Sequence, residues 1–205
     1  MTDPTPPNTL EFAGLEPPVS WPAIFGNDRP VELEVGSGKG LFLANAATGR
    51  PGHNFLGVEM ARKYALKAAD RLARRAIPNA KVLPGDARAF LNRFVPPASL
   101  RAVHIYFPDP WWKKRHRKRR VFRDPFVVDV ARALEPNGDF WIATDVEEYF
   151  GVMGQLMASH SEFLPRPLPE PKAPEHDLDY LTNFERKYRI EGRPIFRAYY
   201  LLSTV

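Results

Sequence analysis

Three carboxylates and a glycine loop sit at the ends of short apolar runs, where a polar small molecule can be held. Glu34-Val35-Gly36-Ser37-Gly38-Lys39-Gly40 closes one run and opens a helical pattern. Its glycines let the backbone turn tightly and approach a ligand where a side chain would collide. A dinucleotide fingerprint would place its third glycine at position 41, which is Leu41, and the Gly-Lys-Ser/Thr ending of a phosphate loop is absent. Glu59 lies in Gly57-Val58-Glu59-Met60, about twenty residues later. A carboxylate there accepts both hydroxyls of a ribose without any proton being lost; alternatively it is an acid at a helix start. Asp86, in Gly85-Asp86-Ala87, can accept from an adenine amino group, cap the following helix, or do both.

The fourth candidate site is Phe107-Pro108-Asp109-Pro110-Trp111-Trp112. Two prolines restrict the backbone on either side of one acid, so Asp109 is presented rigidly. The tryptophans offer flat apolar surface for stacking a base, or one of them fills core. Lys113, Lys114, Arg115, Arg117, Lys118, Arg119 and Arg120 follow, with His116 among them. Taking those seven charges from the formal net of +5 leaves −2, so a near-neutral chain carries one cationic patch. That points to a polyanion gripped at one place, against the plainer possibility of a solvated loop. An acid, aromatics and cations in direct succession are more specific than any one of them alone.

Alternating strands and helices must position these groups. The first thirty residues are proline-rich, have no sustained period, and read as an irregular arm before a single domain over 31–205. Strands are expected over 31–35, 53–58, 80–84, 100–107 and 139–144, with helices over 40–47, 61–76, 87–94 and 146–159. The 61–76 helix has Ala65, Leu66, Ala69, Leu72, Ala73 and Ala76 on one face and cations opposite, and Pro78 stops it. Asp124-Pro125 opens another helix, with Asp124 as its cap, which ends near Glu135-Pro136-Asn137-Gly138. A proline-rich connection follows over 165–174, then an extended tail over 195–203. Five strands alternating with helices make a doubly wound α/β sheet, whose ligands bind at the carboxyl ends of the strands.

Composition excludes several classes. With no cysteine, disulfides, thiolate metal sites and cysteine nucleophiles are ruled out, and no metal is expected. No apolar run approaches the roughly 20 residues of a membrane span, and the N-terminus lacks the features of a secretory signal. A cytoplasmic protein is the simplest reading.

The glycine loop with its preceding acid resembles the first motif of the Rossmann-like, S-adenosylmethionine-dependent methyltransferases. From about Glu32 onward, Leu-Glu-Val-Gly-Ser-Gly, Gly-Val-Glu, Gly-Asp-Ala, Phe-Pro-Asp-Pro-Trp, Arg-His-Arg-Lys-Arg-Arg, Thr-Asp and Thr-Asn-Phe-Glu occur in order. Together they resemble the bacterial tRNA (guanine-N7)-methyltransferase family. The resemblance implies a mostly parallel Rossmann-like sheet with an antiparallel C-terminal strand, and methyl transfer from S-adenosylmethionine to guanosine 46 in the variable loop of tRNA. It implies that Glu34, Gly36, Gly38, Glu59, Asp86, Ala87 and Asp109 line the cofactor pocket, with Asp109 also catalytic. Lys113, Asp145, Thr182, Asn183, Phe184 and Glu185 would meet the guanine, and Arg115, His116, Arg117, Lys118, Arg119 and Arg120 the RNA. No obligate protein partner is implied, and a monomer or homodimer suffices. The sequence departs from the family in its proline-rich lead-in and in Trp112, where a polar residue is common. Under this reading Asp145 and Glu185 accept from the N1–H and amino group of guanine, leaving N7 toward the donor; alternatively Glu185 belongs to a surface helix with Arg186 and Lys187. Two other classes stay open: an enzyme methylating an exocyclic amino group, and a catalytically silent RNA-binding module. A nicotinamide-dependent dehydrogenase is disfavoured by the glycine spacing.

Overall fold

The computed structural model describes residues 5–169 and 182–203. The side chains of Lys114, Arg117, Asn183 and Phe184, and the part of the proline-rich connection past residue 169, lie outside what is described. Seven strands form one sheet: β1 Val31–Val35, β2 Asn54–Glu59, β3 Ala80–Pro84, β4 Leu100–Tyr106, β5 Leu134–Thr144, β6 Phe163–Arg166 and β7 Phe196–Leu202. Their order is β3-β2-β1-β4-β5-β7-β6. Strands β1 to β5 are parallel, and β7 runs antiparallel between β5 and β6. The winding direction reverses between β1 and β4, which makes their carboxyl ends the switch point where a crevice opens.

Helices α2 Leu41–Gly49, α3 Arg62–Arg74, α4 Ala87–Arg93, α5 Asp124–Ala133 and α6 Glu147–Ala158 cross between strands; α1 Trp21–Phe25 precedes them and α7 Asn183–Ile190 precedes β7. Successive strand residues point to opposite faces, so each face needs its own helical cover. Phe55, Ala80 and Val82 pack with Leu43, Ala44, Ala65, Ala68, Ala69 and Leu72 of α2 and α3. Leu33, Val35, Leu56 and Ile105 pack with residues of α4, α5 and α6, including Phe90, Phe126 and Tyr149. Glu32 and Glu34 alternate with Leu33 and Val35, so both acids project to the α2 side.

The expected strands 1 to 5 are present within a residue or so at most boundaries, and the antiparallel C-terminal strand is as the family resemblance implies. The Glu135–Gly138 turn survives inside β5 as a register jump: Leu134 pairs with Leu100, but Asp139 with Ala102. Three features differ. Helix α5 starts at Asp124 itself, flanked by Arg123, and no side chain caps it; the Asp124 carboxylate instead meets His160 Nε2 at 3.1 Å. Strand β6 occupies the start of the expected proline-rich connection, because Phe163 buries its ring beside Phe140 while the backbone pairs with β7. The lead-in is fastened down: the N–H of Leu10 donates to Val82 O and the N–H of Val82 to Asn8 O, both at 2.8 Å, which extends the sheet past β3. The Phe12 ring packs edge-on to Phe90 and Phe94. It fills the space where a side chain on Gly85 would lie, since a Cβ there would fall 2.0 Å from it.

Candidate active site

Because β3, β2, β1 and β4 are adjacent and parallel, their carboxyl ends share one edge. Glu34 is in β1, Glu59 ends β2, Asp86 lies two residues past β3, and Asp109 three past β4. All four acids are thereby brought to a single rim. The glycine loop at its centre is built by three left-handed residues, Gly36 (φ 78°), Gly38 (φ 54°) and Gly40 (φ 69°). Gly40 must also be small, since a Cβ would sit 2.7 Å from that of Ala68 on α3. Open space surrounds the missing side chains of Gly36 and Gly38. The loop is tied to β2 where the N–H of Gly36 donates to Val58 O at 2.8 Å.

Two buried polar atoms here have no hydrogen-bond partner among the described residues: Glu34 Oε2 and Ser37 Oγ. Burying such groups unpaired is costly, and these two lie at and just before the glycine loop. Glu34 is 3% exposed, and burial, reinforced by the nearby charge of Glu59, raises its pKa well above the usual carboxylate range. Glu59 behaves differently. Its Oε2 accepts from the Gly38 N–H and its Oε1 from the Ala61 N–H, each at 2.9 Å. Asp86 caps α4, with Oδ1 accepting from the Arg88 N–H at 2.9 Å. It lies on the wall of a cleft of about 350 Å³ between α4 and α5, together with Asn92, Arg123 and Asp129. Ala87 begins α4, so its N–H belongs to the turn that has no helical acceptor.

The Pro108-Asp109-Pro110 turn is strained on both sides. Phe107 (φ 51°) and Trp111 (φ 42°) are bulky residues in the left-handed region, which costs of order 1–3 kcal/mol each. It is anchored by the Phe107 N–H donating to Ala143 O and by Arg120 Nε donating to Pro110 O, both at 2.7 Å. Asp109 is exposed at the tip. Of the tryptophans, Trp111 is half-buried beneath the Arg119 guanidinium and the His116 ring, while Trp112 is 57% exposed. Lys113, Arg115, Lys118 and Arg119 are exposed along a short 3-10 segment, Lys114–Arg119. Arg120 is buried, its guanidinium 4.5 Å from the Tyr149 ring centroid.

The acids that the resemblance assigns to the base are paired with arginines. Asp145, just past β5, accepts from Arg193, and burial and then the Asp145 charge raise the pKa of the nearby Tyr188 hydroxyl. Glu185 is buried on α7 and pairs with Arg197 at 2.6 Å and Arg189 at 2.8 Å. Thr182 caps that helix, its hydroxyl accepting from the Glu185 N–H at 3.0 Å.

A buried polar chain absent from the sequence expectations runs beneath the rim on the α2 side. Glu32 Oε1 accepts from Arg50 and pairs with His53 Nδ1, while Oε2 meets His104 Nε2, all at 2.7 Å; His104 Nδ1 then meets the Tyr106 hydroxyl at 2.8 Å. Burial holds His104 below the ordinary histidine range, and a neutral ring satisfies both partners by donating from Nε2 to Glu32 and accepting at Nδ1 from Tyr106. Burial opposes ionisation of Glu32, but its His104, Arg50 and His53 partners prevail and hold it lowered. Nothing in the sequence sets His104 or Tyr106 apart from core, since both occupy an apolar-looking strand. Ser37 belongs to the glycine-loop motif, but only the fold buries its hydroxyl without a partner among the described residues.

A family model described as a putative methyltransferase matches residues 28–198. The fold is that of solved Rossmann-like methyltransferases. The 16S rRNA methyltransferase KamB is 17% identical with a TM-score of 0.62, the match covering 87% of this chain and 90% of that one. A 16S rRNA adenine-N1-methyltransferase from Catenulisporales acidiphilia, solved with its cosubstrate SAM, is 15% identical with a TM-score of 0.60, covering 89% of this chain and 90% of the other. Nearer in sequence is the tRNA (guanine-N(7)-)-methyltransferase of Rhodopirellula baltica, 48% identical over 86% of this chain and 68% of that protein. The proteins of that name from Geobacter metallireducens and Myxococcus xanthus are 37% and 35% identical, covering 91% and 94% of this chain and 88% and 93% of theirs. The chain belongs to the tRNA (guanine-N7)-methyltransferase family of enzymes.

Proposed function

We propose that this protein transfers a methyl group from S-adenosylmethionine to N7 of a guanosine in tRNA, at position 46 of the variable loop. Residues 31–205 carry the activity, the first thirty residues form an arm, and the enzyme works in the cytoplasm. The observation that carries the reading is the single rim on which Glu34, Glu59, Asp86 and Asp109 meet the glycine loop, directly before a cationic segment. The cradle fits the cofactor. Glu34 Oε2 and Ser37 Oγ are buried polar atoms without a partner among the described residues, and the space where side chains on Gly36 and Gly38 would lie is open. Glu34 and the loop would hold the methionyl end. Glu59 would take the ribose hydroxyls: a carboxylate has about four acceptor sites, and backbone N–H groups use two. Asp86 and the Ala87 N–H would hold the adenine.

The bound donor supplies an already activated sulfonium methyl. Guanine N7 carries an available lone pair, so the protein needs no strong base before attack. Its work is alignment, which can contribute about 7–11 kcal/mol when the reacting groups are held in line. Asp109, on its strained turn, orients the base and offsets the positive charge that develops on the purine. Arg115, Lys118 and Arg119 hold the RNA backbone, and Lys113 meets the guanine.

Unmodified tRNA incubated with radiolabelled donor and digested to nucleosides tests this. Label in 7-methylguanosine is expected; label on an exocyclic amino group, or none, would defeat the proposal. Calorimetric titration with S-adenosylmethionine separates the second case from an RNA-binding module that lacks a cofactor site.

A further inference from the structure

Arg193, in the segment between α7 and β7, does at this site what a guanine would do. Its guanidinium lies 4.1 Å from the centroid of the Tyr188 ring and donates to Asp145 Oδ2. A guanidinium and the Watson–Crick edge of guanine share one chemistry: a planar delocalised face that stacks, and adjacent N–H donors for one carboxylate. We propose that Tyr188 is the platform on which the target guanine stacks, beside the Asp145 that the family resemblance already assigns to the base, and that Arg193 fills this place until the base arrives.

The surroundings favour it. The Tyr188 ring is 5.4 Å from that of Phe107, two residues before Asp109, which puts the platform beside the catalytic turn. Burial and then the nearby Asp145 charge raise the Tyr188 hydroxyl's pKa, so platform and acceptor are neighbours. Asp145 is only 10% exposed whereas Arg193 above it is 42% exposed, as expected of a cover that can swing away. Glu191 Oε2, 3.7 Å from Arg193 Nη1, offers the displaced guanidinium another partner. Arg193 itself is 42% exposed, so water can solvate its guanidinium once it swings away, and the arriving base donors keep Asp145 paired. Glu185, by contrast, is buried under two arginines and is fixed. A carboxylate that only accepts also discriminates: guanine presents donors at N1 and N2, while adenine presents an acceptor at N1.

The inference rests on the guanosine reading, and its test separates the two. Two tRNAs are compared in equilibrium binding, one with the variable-loop guanosine and one with adenosine in its place, and their affinity ratio is measured for each variant. The ratio cancels the general loss of a cation. Arg193→Ala should raise the preference for the guanosine tRNA about 3- to 10-fold, because a competitor is removed. Tyr188→Leu should lower it toward one, and Tyr188→Phe should keep it. A ratio unchanged or lowered in Arg193→Ala overturns the inference, as does wild-type preference near one in a protein that forms 7-methylguanosine. If Tyr188→Leu does not fold, as judged by thermal melting, Arg193→Ala and Tyr188→Phe decide alone. If no 7-methylguanosine forms but Arg193→Ala still raises the ratio, the base site stands and the proposed reaction falls.

Discussion

The carboxylate of Glu59 is clamped onto the glycine loop, Oε2 accepting from the Gly38 N–H at 2.9 Å while Oε1 accepts from the Ala61 N–H at 2.9 Å. One side chain at the end of β2 thereby sets the shape of the loop that follows β1. Hydrogen bonds to a charged group are worth about 1.5–3 kcal/mol, and about 1.4 kcal/mol is tenfold in affinity. Glu59→Gln keeps one acceptor oxygen and should weaken S-adenosylmethionine binding about 10-fold; Glu59→Ala, losing both, about 100-fold. Calorimetry measures the affinities, and faster amide exchange at Gly38 should accompany the loss. Wild-type affinity in Glu59→Ala would remove the residue from the site.

Glu34 makes the free protein's stability depend on pH. Its folded pKa is raised well above 4.5 by burial and then by Glu59. The folded state therefore keeps a proton that the unfolded chain gives up above about 4.5. Stability is unaffected below that value and falls as pH rises through the window up to the folded pKa. Glu34→Gln, which cannot ionise, should melt higher than wild type at neutral pH, with the difference vanishing toward pH 4.5. Differential scanning calorimetry across that range checks it. The same substitution should weaken cofactor binding, so the residue would trade stability for function; a variant less stable than wild type at neutral pH contradicts the assignment.

Which features could be seen in the sequence follows from what each depends on. Strands β1 to β5 are buried and apolar, and α3 carries an alanine and leucine stripe, so periodicity alone finds them. The acids at strand ends were visible for the same reason. Helix α1 has five residues, too few for a period, although Ser20 caps it and Gly26 ends it in a left-handed turn; those two signals could have found it. The lead-in joins β3 through backbone hydrogen bonds, which leave no side-chain pattern. Arg120 is indistinguishable from its neighbours in a basic run until Tyr149 of α6 supplies a ring for it. Tyr188, Arg193 and Asp145 come from a helix, a loop and a strand end, and only the folded chain brings them together.

That buried Arg120 divides the basic run into two kinds of residue. Arg115, Lys118 and Arg119 are exposed and available to phosphates, whereas Arg120 donates to Pro110 O and holds the Asp109 turn. If about three phosphates are engaged, log affinity for tRNA should fall against log salt with a slope of roughly −2 to −3. Alanine at any one of the three exposed positions should reduce the slope by about 1. Arg120→Ala should leave the slope nearly unchanged and lower turnover instead. Filter binding over a salt series gives the slopes and single-turnover methylation gives the rates; a flat wild-type response would show that the segment does not grip RNA.

Asp109 is exposed, and the strained turn beneath it is held by Ala143 and by Arg120. An exposed acid on a rigid base adds little to binding a polyanion, and its charge opposes the phosphates. Its value lies in the step where the purine becomes positive. Losing one well-placed electrostatic group typically costs about 100- to 1,000-fold in turnover. Asp109→Ala should show that loss in single-turnover methylation, with tRNA affinity within about 3-fold of wild type, since only rim charge is removed. Asp109→Asn retains shape and a hydrogen-bonding group but not the charge. A rate near that of the alanine variant would assign the effect to charge, and a rate near wild type to orientation. Undiminished turnover in Asp109→Ala would take the residue out of the chemistry and leave the strained turn with no catalytic task.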